Sequence, residues 1–260
     1  MNRPLILVSN DDGYQAKGVR ELMKCLSSKG EVIGVCPDAP RSGQSMALTV
    51  NAPLRVRRED DVEGMEMYSV NGTPVDCVKL AVYSVLKGRR PDLVVAGINH
   101  GSNASINVVY SGTMGAAFEG CAFGIPSIGF SLTDHDPKAD FAPCLPFVDA
   151  LCDAVLSNGL PGGVCLNVNI PDSKIAPEEM RLVRACKGNW SDEYSEYTDP
   201  QGHKFYWLTG KFRNDEPEAT DTDQWCLDNG IVSVVPCMLD RTAPDVILPS
   251  WLNSFLPYKA

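Results

Sequence analysis

The chain has no excess of basic residues. Its 23 lysines and arginines face 33 aspartates and glutamates, a formal net charge of −10. Coating a nucleic-acid duplex requires basic side chains that displace counterions from phosphates, so no duplex partner is expected. The same acidity means that an anionic phosphate ligand must be neutralised locally, and a bound dication is one way to do it. No CxxC pair occurs among the ten cysteines. Most sit in apolar segments, such as Val-Ile-Gly-Val-Cys (32–36) and Val-Cys-Leu-Asn-Val (164–168), which reads as small buried thiols rather than disulfides or zinc ligands. No apolar run approaches a membrane span, and the run in the first ten residues is too short for a signal peptide. A cytoplasmic location without a membrane partner is expected. The dinucleotide fingerprint GxGxxG is missing after the first apolar run, and there are no internal repeats or low-complexity tracts.

What remains is the balance of an ordinary globular protein: 260 residues, 44% hydrophobic and 22% charged, enough for one large domain or a domain with an appendage. Leu5–Ser9 reads as a strand buried on both faces, followed by Asn-Asp-Asp-Gly turn chemistry. Val19, Leu22, Met23 and Leu26 recur at helical spacing within 17–29, with Gly30 as the stop. A second strand spans 31–36 and is closed by Pro37. A loop follows at 37–45, then extended segments near 46–57 and 65–70. Helices are expected at 74–87, 113–123 and 145–157, and strands at 92–98, 126–132 and 164–170. Residues 99–110 read as polar and irregular. This alternation predicts a three-layer α/β/α, Rossmann-like fold with a mostly parallel mixed sheet. The character then changes, and three parts are expected: a catalytic core over 1–186, a protruding β-rich arm over 187–229, and a C-terminal strand and helix over 230–260, the helix near 244–256.

Ligands of open α/β sheets bind beyond the carboxyl ends of the strands, and the notable polar groups gather there. Asp11 and Asp12 follow the first strand, Ser42 lies in the loop after the second, and Asn99 follows the strand that begins near Asp92. Two carboxylates about 4 Å apart repel by roughly 4 kcal/mol at intermediate dielectric, while a dication attracts each about twice as strongly. An all-oxygen set of two carboxylates, a hydroxyl and an amide suits magnesium or manganese rather than zinc. Taken singly, Asp11-Asp12-Gly13 also reads as a plain turn ahead of a helix, and Ser42 and Asn99 as ordinary loop residues. Tyr-Ser-Gly-Thr (110–113) opens a helix, whose free N–H groups suit phosphate; Ser111 or Thr113 equally suits a simple cap. Thr73 before Pro74 reads as another cap. Arg41 is placed to touch phosphate or to lie solvated, and His100 to assist proton transfer or stand by.

Five segments together resemble the SurE family of survival-protein nucleotidases: Leu-Val-Ser-Asn-Asp-Asp-Gly (7–13), Pro-Asp-Ala-Pro-Arg-Ser-Gly-Gln-Ser (37–45), Asn-Gly-Thr-Pro-Val-Asp-Cys-Val (71–78), Gly-Ile-Asn-His-Gly-Ser-Asn (97–103) and Val-Tyr-Ser-Gly-Thr-Met-Gly-Ala-Ala (109–117). The likeness continues to Val-Ser-Val-Val-Pro (232–236) and Trp-Leu-Asn (251–253). It implies a metal-dependent 5'-nucleotidase, a phosphoric monoester hydrolase acting on nucleoside 5'-monophosphates, often on 3'-monophosphates and short polyphosphate too. It implies one divalent cation, magnesium or manganese, on Asp11, Asp12, Ser42 and Asn99, with Asp11, Asp12 and Asn99 catalytic. Asn103, Ser111, Gly112 and Thr113 would bind phosphate, joined by Arg41. Homodimers or homotetramers built partly by exchange of C-terminal segments are implied as well. Two departures stand out: Lys17 where relatives often carry proline, and Ser105-Ile106-Asn107 where Gly-Asp-Asn or Gly-Asp-Asp is familiar. The second puts base preference in question.

Other readings of the residues are a magnesium-binding phospho-acceptor signalling domain and a nucleotide-binding module without turnover. The first needs an aspartate at the end of a central strand, whereas Asp92 starts its strand and Asn99 ends it. A haloacid-dehalogenase phosphatase is disfavoured by Gly13 in the second acidic position of its DxD motif.

Overall fold

The computed structural model describes residues 3–136 and 138–242. In chain order the elements are β1 (Leu5–Ser9), α1 (Lys17–Leu26), β2 (Glu31–Pro37), β3 (Val56–Arg58), β4 (Glu66–Val70), α2 (Pro74–Leu80), β5 (Leu93–His100), the single turn α3 (Asn107–Tyr110) and α4 (Gly112–Ala122). There follow β6 (Ser127–Leu132), α5 (Leu145–Asn158), β7 (Val164–Ile170), β8 (Met180–Leu182), the arm strands β9 (Gly188–Ser191), β10 (Tyr194–Thr198), β11 (Lys204–Leu208) and β12 (Lys211–Asn214), then α6 (Asp223–Asp228) and β13 (Val232–Met238).

Nine strands form one sheet in the order β3-β4-β2-β1-β5-β6-β7-β13-β8. The six strands from β4 to β7 run parallel; β3 and β13 are antiparallel to their neighbours β4 and β7, and β8 is parallel to β13. Every residue of β1 is buried, as a strand sandwiched between helix layers must be. One apolar layer joins Val19, Leu22, Met23 and Leu26 of α1 to Val148, Cys152 and Val155 of α5 against one sheet face. The other joins Cys77 and Val78 of α2 to Met114, Ala117, Phe118 and Cys121 of α4 against the opposite face. The result is the three-layer α/β/α fold with a mostly parallel mixed sheet that the alternating pattern predicts.

Several boundaries differ from the sequence reading. Helix α1 ends at Leu26 rather than at 29; Ser27 caps it, donating from Oγ and from its backbone N–H to the Lys24 carbonyl. Of the segment expected to be extended over 46–57, only the strand beginning at Val56 forms. The helix at 74–87 is α-helical only to Leu80 and continues as a π-helical turn over Ala81–Val85. Its start is as read: Thr73 accepts from the Asp76 N–H while Asp76 reaches back to the Thr73 N–H, a reciprocal capping box. The segment 187–229 is not β-rich throughout, because α6 forms in it, capped by Thr222 and buried at Asp223, Cys226 and Leu227. The C-terminal helix expected near 244–256 lies outside the described residues.

Two antiparallel ribbons make the arm: β9 with β12, and beyond them β10 with β11. Its base is clamped by the buried carboxylate of Asp223, which accepts from the Ser105 and Cys186 backbone N–H groups, each at 2.8 Å. This carboxylate ties the loop after β5 to the root of the arm.

Candidate functional site

Of the residues flagged at the strand ends, Asp11, Ser42 and Asn99 meet at the carboxyl edge of the sheet around a cavity of about 570 Å³. Asp11, Ser42, Asn99, Asn103 and Ser111 all line it, together with His100. These come from the loops after β1, β2 and β5, from the end of β5 itself and from the cap of α4. Asp11 follows β1 directly. The loop carrying Ser42 is pinned on both sides: the Arg41 N–H donates to the Asp11 carbonyl at 2.7 Å, and the Ser45 N–H and Oγ donate to the Tyr110 and Val109 carbonyls at 3.0 and 2.6 Å. Asn99 sits near the end of β5, where the register against β6 shifts between Ala96 and Asn99. Such a shift re-aims side chains at a strand end.

Three of the four donors are oriented by a second contact. Thr113 Oγ1 donates to Asp11 Oδ1 at 2.5 Å, and Asn99 Nδ2 donates to the Gly101 carbonyl at 2.7 Å. In both residues one polar atom is spent on the protein and an oxygen is left over. Asp12 Oδ2 accepts from the His100 backbone N–H at 3.2 Å. Asp12 itself opens onto an adjoining cavity of about 210 Å³, shared with Lys17, Phe141 and His100; His100 therefore stands between the two.

Thr113, Gly112 and Arg41, also expected to touch phosphate, are not among the residues that line this cavity. Thr113 is fully buried, its hydroxyl committed to Asp11; it positions that carboxylate from beneath. Ser111, not Thr113, caps α4, accepting from the Met114 N–H at 3.0 Å. A Cβ on Gly112 would lie 2.8 Å from Asp11 Cβ and 3.0 Å from Asp11 Oδ2, so glycine is required there to let the helix start close on the carboxylate rather than to face the cavity. Arg41 turns its guanidinium to Asp38.

Asn103 is held by a buried amide network. Its N–H donates to Asn169 Oδ1, its Nδ2 to Ser131 Oγ, and its carbonyl accepts from Asn167 Nδ2, all at 2.8 Å. These partners sit on β6 and β7, so the loop after β5 is fixed by the two neighbouring strands. Sequence reasoning missed the other walls of the cavity: His135 in the loop after β6, and Trp190, Phe212 and Gln224 from the arm and α6. His135 follows a strand end and could have been flagged by that rule. The arm residues carry no such local signal.

The electrostatics of the corner are those of an uncompensated acidic pair. Burial pushes the Asp11 carboxyl up to about 6 against the Thr113 hydrogen bond, and the neighbouring Asp12 charge adds to the rise. Burial also raises Asp12. No lysine, arginine or histidine side-chain nitrogen lies within 4 Å of either carboxylate among the described residues. Among the same residues no group of three His, Cys, Asp or Glu suits a metal. A cation here would therefore depend on neutral oxygens as well, as the serine and asparagine allow. Desolvated carboxylates without a cationic partner, beside spare hydroxyl and amide oxygens, fit a hard divalent ion.

Residues 6–192 match the family model described as "Survival protein SurE". The chain belongs to the SurE family. Proteins named 5'-nucleotidase SurE are similar to it almost end to end: the one from Phocaeicola vulgatus is 49% identical over 93% of each chain, and the one from Cytophaga hutchinsonii 48% identical over 95% of each. Among solved structures, the crystal structure of the SurE protein from Aquifex aeolicus superposes with a TM-score of 0.80 at 36% identity, covering 94% of this chain and 97% of that one. The acidic pair, the Ser42 loop and the strand-end Asn99 thus lie within a SurE fold.

Proposed function

We propose that the protein hydrolyses nucleoside monophosphates to nucleoside and phosphate, with one divalent cation, magnesium or manganese, held by Asp11, Asp12, Ser42 and Asn99. The observation that carries this reading is the meeting of Asp11, Ser42 and Asn99 in one cavity with Asn103 and Ser111, beside Asp12, in a chain whose full-length relatives bear the name 5'-nucleotidase. The phospho-acceptor alternative has no comparable support, since β5 ends in Asn99 and His100 and supplies no acceptor aspartate.

When bound, the cation would neutralise the phosphate and stabilise charge developing at phosphorus. The remaining work falls to the chain. Ser111 Oγ accepts the Met114 N–H and keeps its own hydrogen for a phosphate oxygen. Asn103 Nδ2 gives one hydrogen to Ser131 and retains a second for the cavity. Water attacks phosphorus, the bond from phosphorus to the ester oxygen breaks, and the nucleoside leaves with a proton. Asp11 and Asp12 are the carboxylates at hand to take the proton of water, and His100 and His135 line the cavity that Asp11 lines.

We also propose a soluble, cytoplasmic enzyme. Among the described residues no helix is long and apolar enough to cross a membrane. Association into dimers or tetramers through the arm is supported by its outer ribbon, where Tyr194, Tyr197, Phe205, Tyr206, Trp207 and Leu208 are all exposed. The partition into a core, an arm and a C-terminal exchange segment belongs to the same proposal.

The test is phosphate release from a panel of 3'- and 5'-nucleotides with magnesium, with manganese and with EDTA. Release that needs the metal and disappears in a folded Asp12→Asn variant is expected; undiminished turnover in that variant refutes the assignment.

A further inference from the structure

The cavity that holds Asp11, Ser42 and Asn99 has a second, unlike wall. Trp190 of β9 and Phe212 of β12 line it, although both belong to the arm and lie far from the acidic pair in sequence. They are direct partners across the antiparallel ribbon, so their side chains emerge on the same face.

Both rings are fixed. The Trp190 indole N–H donates to Asn107 Oδ1 at 2.7 Å, which ties the ring to the loop already anchored beside the acidic corner. The Phe212 ring meets Trp190 edge-on, with centroids 6.1 Å apart and an interplanar angle of 70°. Two glycines make room for this arrangement. A Cβ on Gly188 would lie 2.5 Å from the Phe212 ring, and one on Gly210, whose φ is +120°, would lie 3.1 Å from Trp190 Cε3. Trp190 and Phe212 are each half-buried, so part of their surface remains open to the cavity.

A rigid aromatic pair in the same cavity as an anion-handling corner suits a ligand with a charged end and a flat end. We propose that Trp190, supported by Phe212, is the platform on which the base of the nucleotide stacks, and that it makes a nucleotide a better substrate than a sugar phosphate. The proposal rests on the phosphatase reading above and adds to it where the base is held. Stacking on an aromatic face is tolerant of base identity, because every base presents a π-face. It therefore predicts discrimination between base and no base, with larger purines favoured over pyrimidines by overlap area.

The experiment compares kcat/KM for AMP and for ribose 5-phosphate in the wild type, Trp190→Ala and Trp190→Phe, with thermal melting of each. Ribose 5-phosphate carries the same phosphoester without a base. Trp190→Ala is expected to lower the ratio of the two kcat/KM values by roughly 5- to 100-fold, the range of one lost stacking contact, mostly through KM for AMP. Trp190→Phe, which keeps a stacking face, is expected to recover most of the ratio. A wild type with a ratio near one, or a ratio that Trp190→Ala leaves unmoved, overturns the platform while the phosphatase stands. Failure of Trp190→Phe to do better than Trp190→Ala also overturns it. A wild type that releases phosphate from neither compound overturns both readings.

Discussion

Thr113 Oγ1 donates a 2.5 Å hydrogen bond to Asp11 Oδ1 across 102 residues of sequence, and both groups are buried. The bond couples the first turn of α4 to the loop after β1, and it decides which carboxylate oxygen is free for the cavity. Charge-assisted bonds of this kind are stronger than neutral ones. Replacing Thr113 by valine keeps the shape and removes the donor. Divalent-metal affinity is expected to fall about 10- to 100-fold, the usual cost of losing an outer partner of a metal ligand. Titration calorimetry with manganese on a folded Thr113→Val variant checks this; unchanged affinity would make the contact merely structural.

Gly112 carries a steric prediction. An added methyl would sit 2.8 Å from Asp11 Cβ and 3.2 Å from Pro74, so Gly112→Ala must push the Asp11 carboxylate or the start of α4 aside. Phosphate release is expected to drop at least tenfold, since displacements of about 1 Å at a reacting centre cost that much or more. The drop should far exceed any loss in Tm, and paired activity and melting measurements separate the two.

The acidic pair gives the metal-free protein an unusual pH dependence. Asp11 rises from about 3.8 to about 6 on folding, so between those values the folded state holds more protons than the unfolded one. Stability then falls as pH rises through this window. The contribution is fully present below about 3.8 and lost above about 6, by up to about 3 kcal/mol for this group; the upward shift of Asp12 acts in the same direction. Manganese competes with the proton, so its apparent affinity should climb with pH up to about 6 and its presence should flatten the stability curve. Urea unfolding from pH 4 to 7 with EDTA and with manganese tests the sign. Rising metal-free stability across that window would contradict it.

Local chemistry made much of this legible in the sequence. Apolar runs such as 5–9 and 164–170 gave buried strands, because a sheet covered on both faces needs continuous apolar residues. The strand-end rule placed Asp11, Ser42 and Asn99 together, because a parallel sheet brings the ends of its strands to one edge. The place of the Thr113 hydroxyl was left open because one residue decides which hydroxyl caps α4: once Ser111 takes the Met114 N–H, Thr113 turns inward to Asp11. Helix α6 escaped because six residues are too few to display a period. Trp190 and Phe212 were invisible for a different reason. Their place in the cavity depends on the pairing of β9 with β12 and on the Asp223 clamp at the base of the arm, neither of which is a local pattern.

That clamp is itself testable. Asp223→Ala leaves two buried N–H groups, those of Ser105 and Cys186, without an acceptor, at about 1–3 kcal/mol each. A clear loss of stability is expected, together with faster amide exchange in residues 103–107 and 186–190. Exchange confined to α6 would show that the arm is anchored by other means.

The most direct test of the central claim is the anomalous difference map of a crystal soaked in manganese. One peak is predicted, with Asp11, Asp12, Ser42 and Asn99 turned to it and ligand distances of about 2.0–2.2 Å for a compact octahedral ion. A clean map at that corner in a diffracting, manganese-soaked crystal, or a peak bound elsewhere with these four side chains pointing apart, would contradict the account.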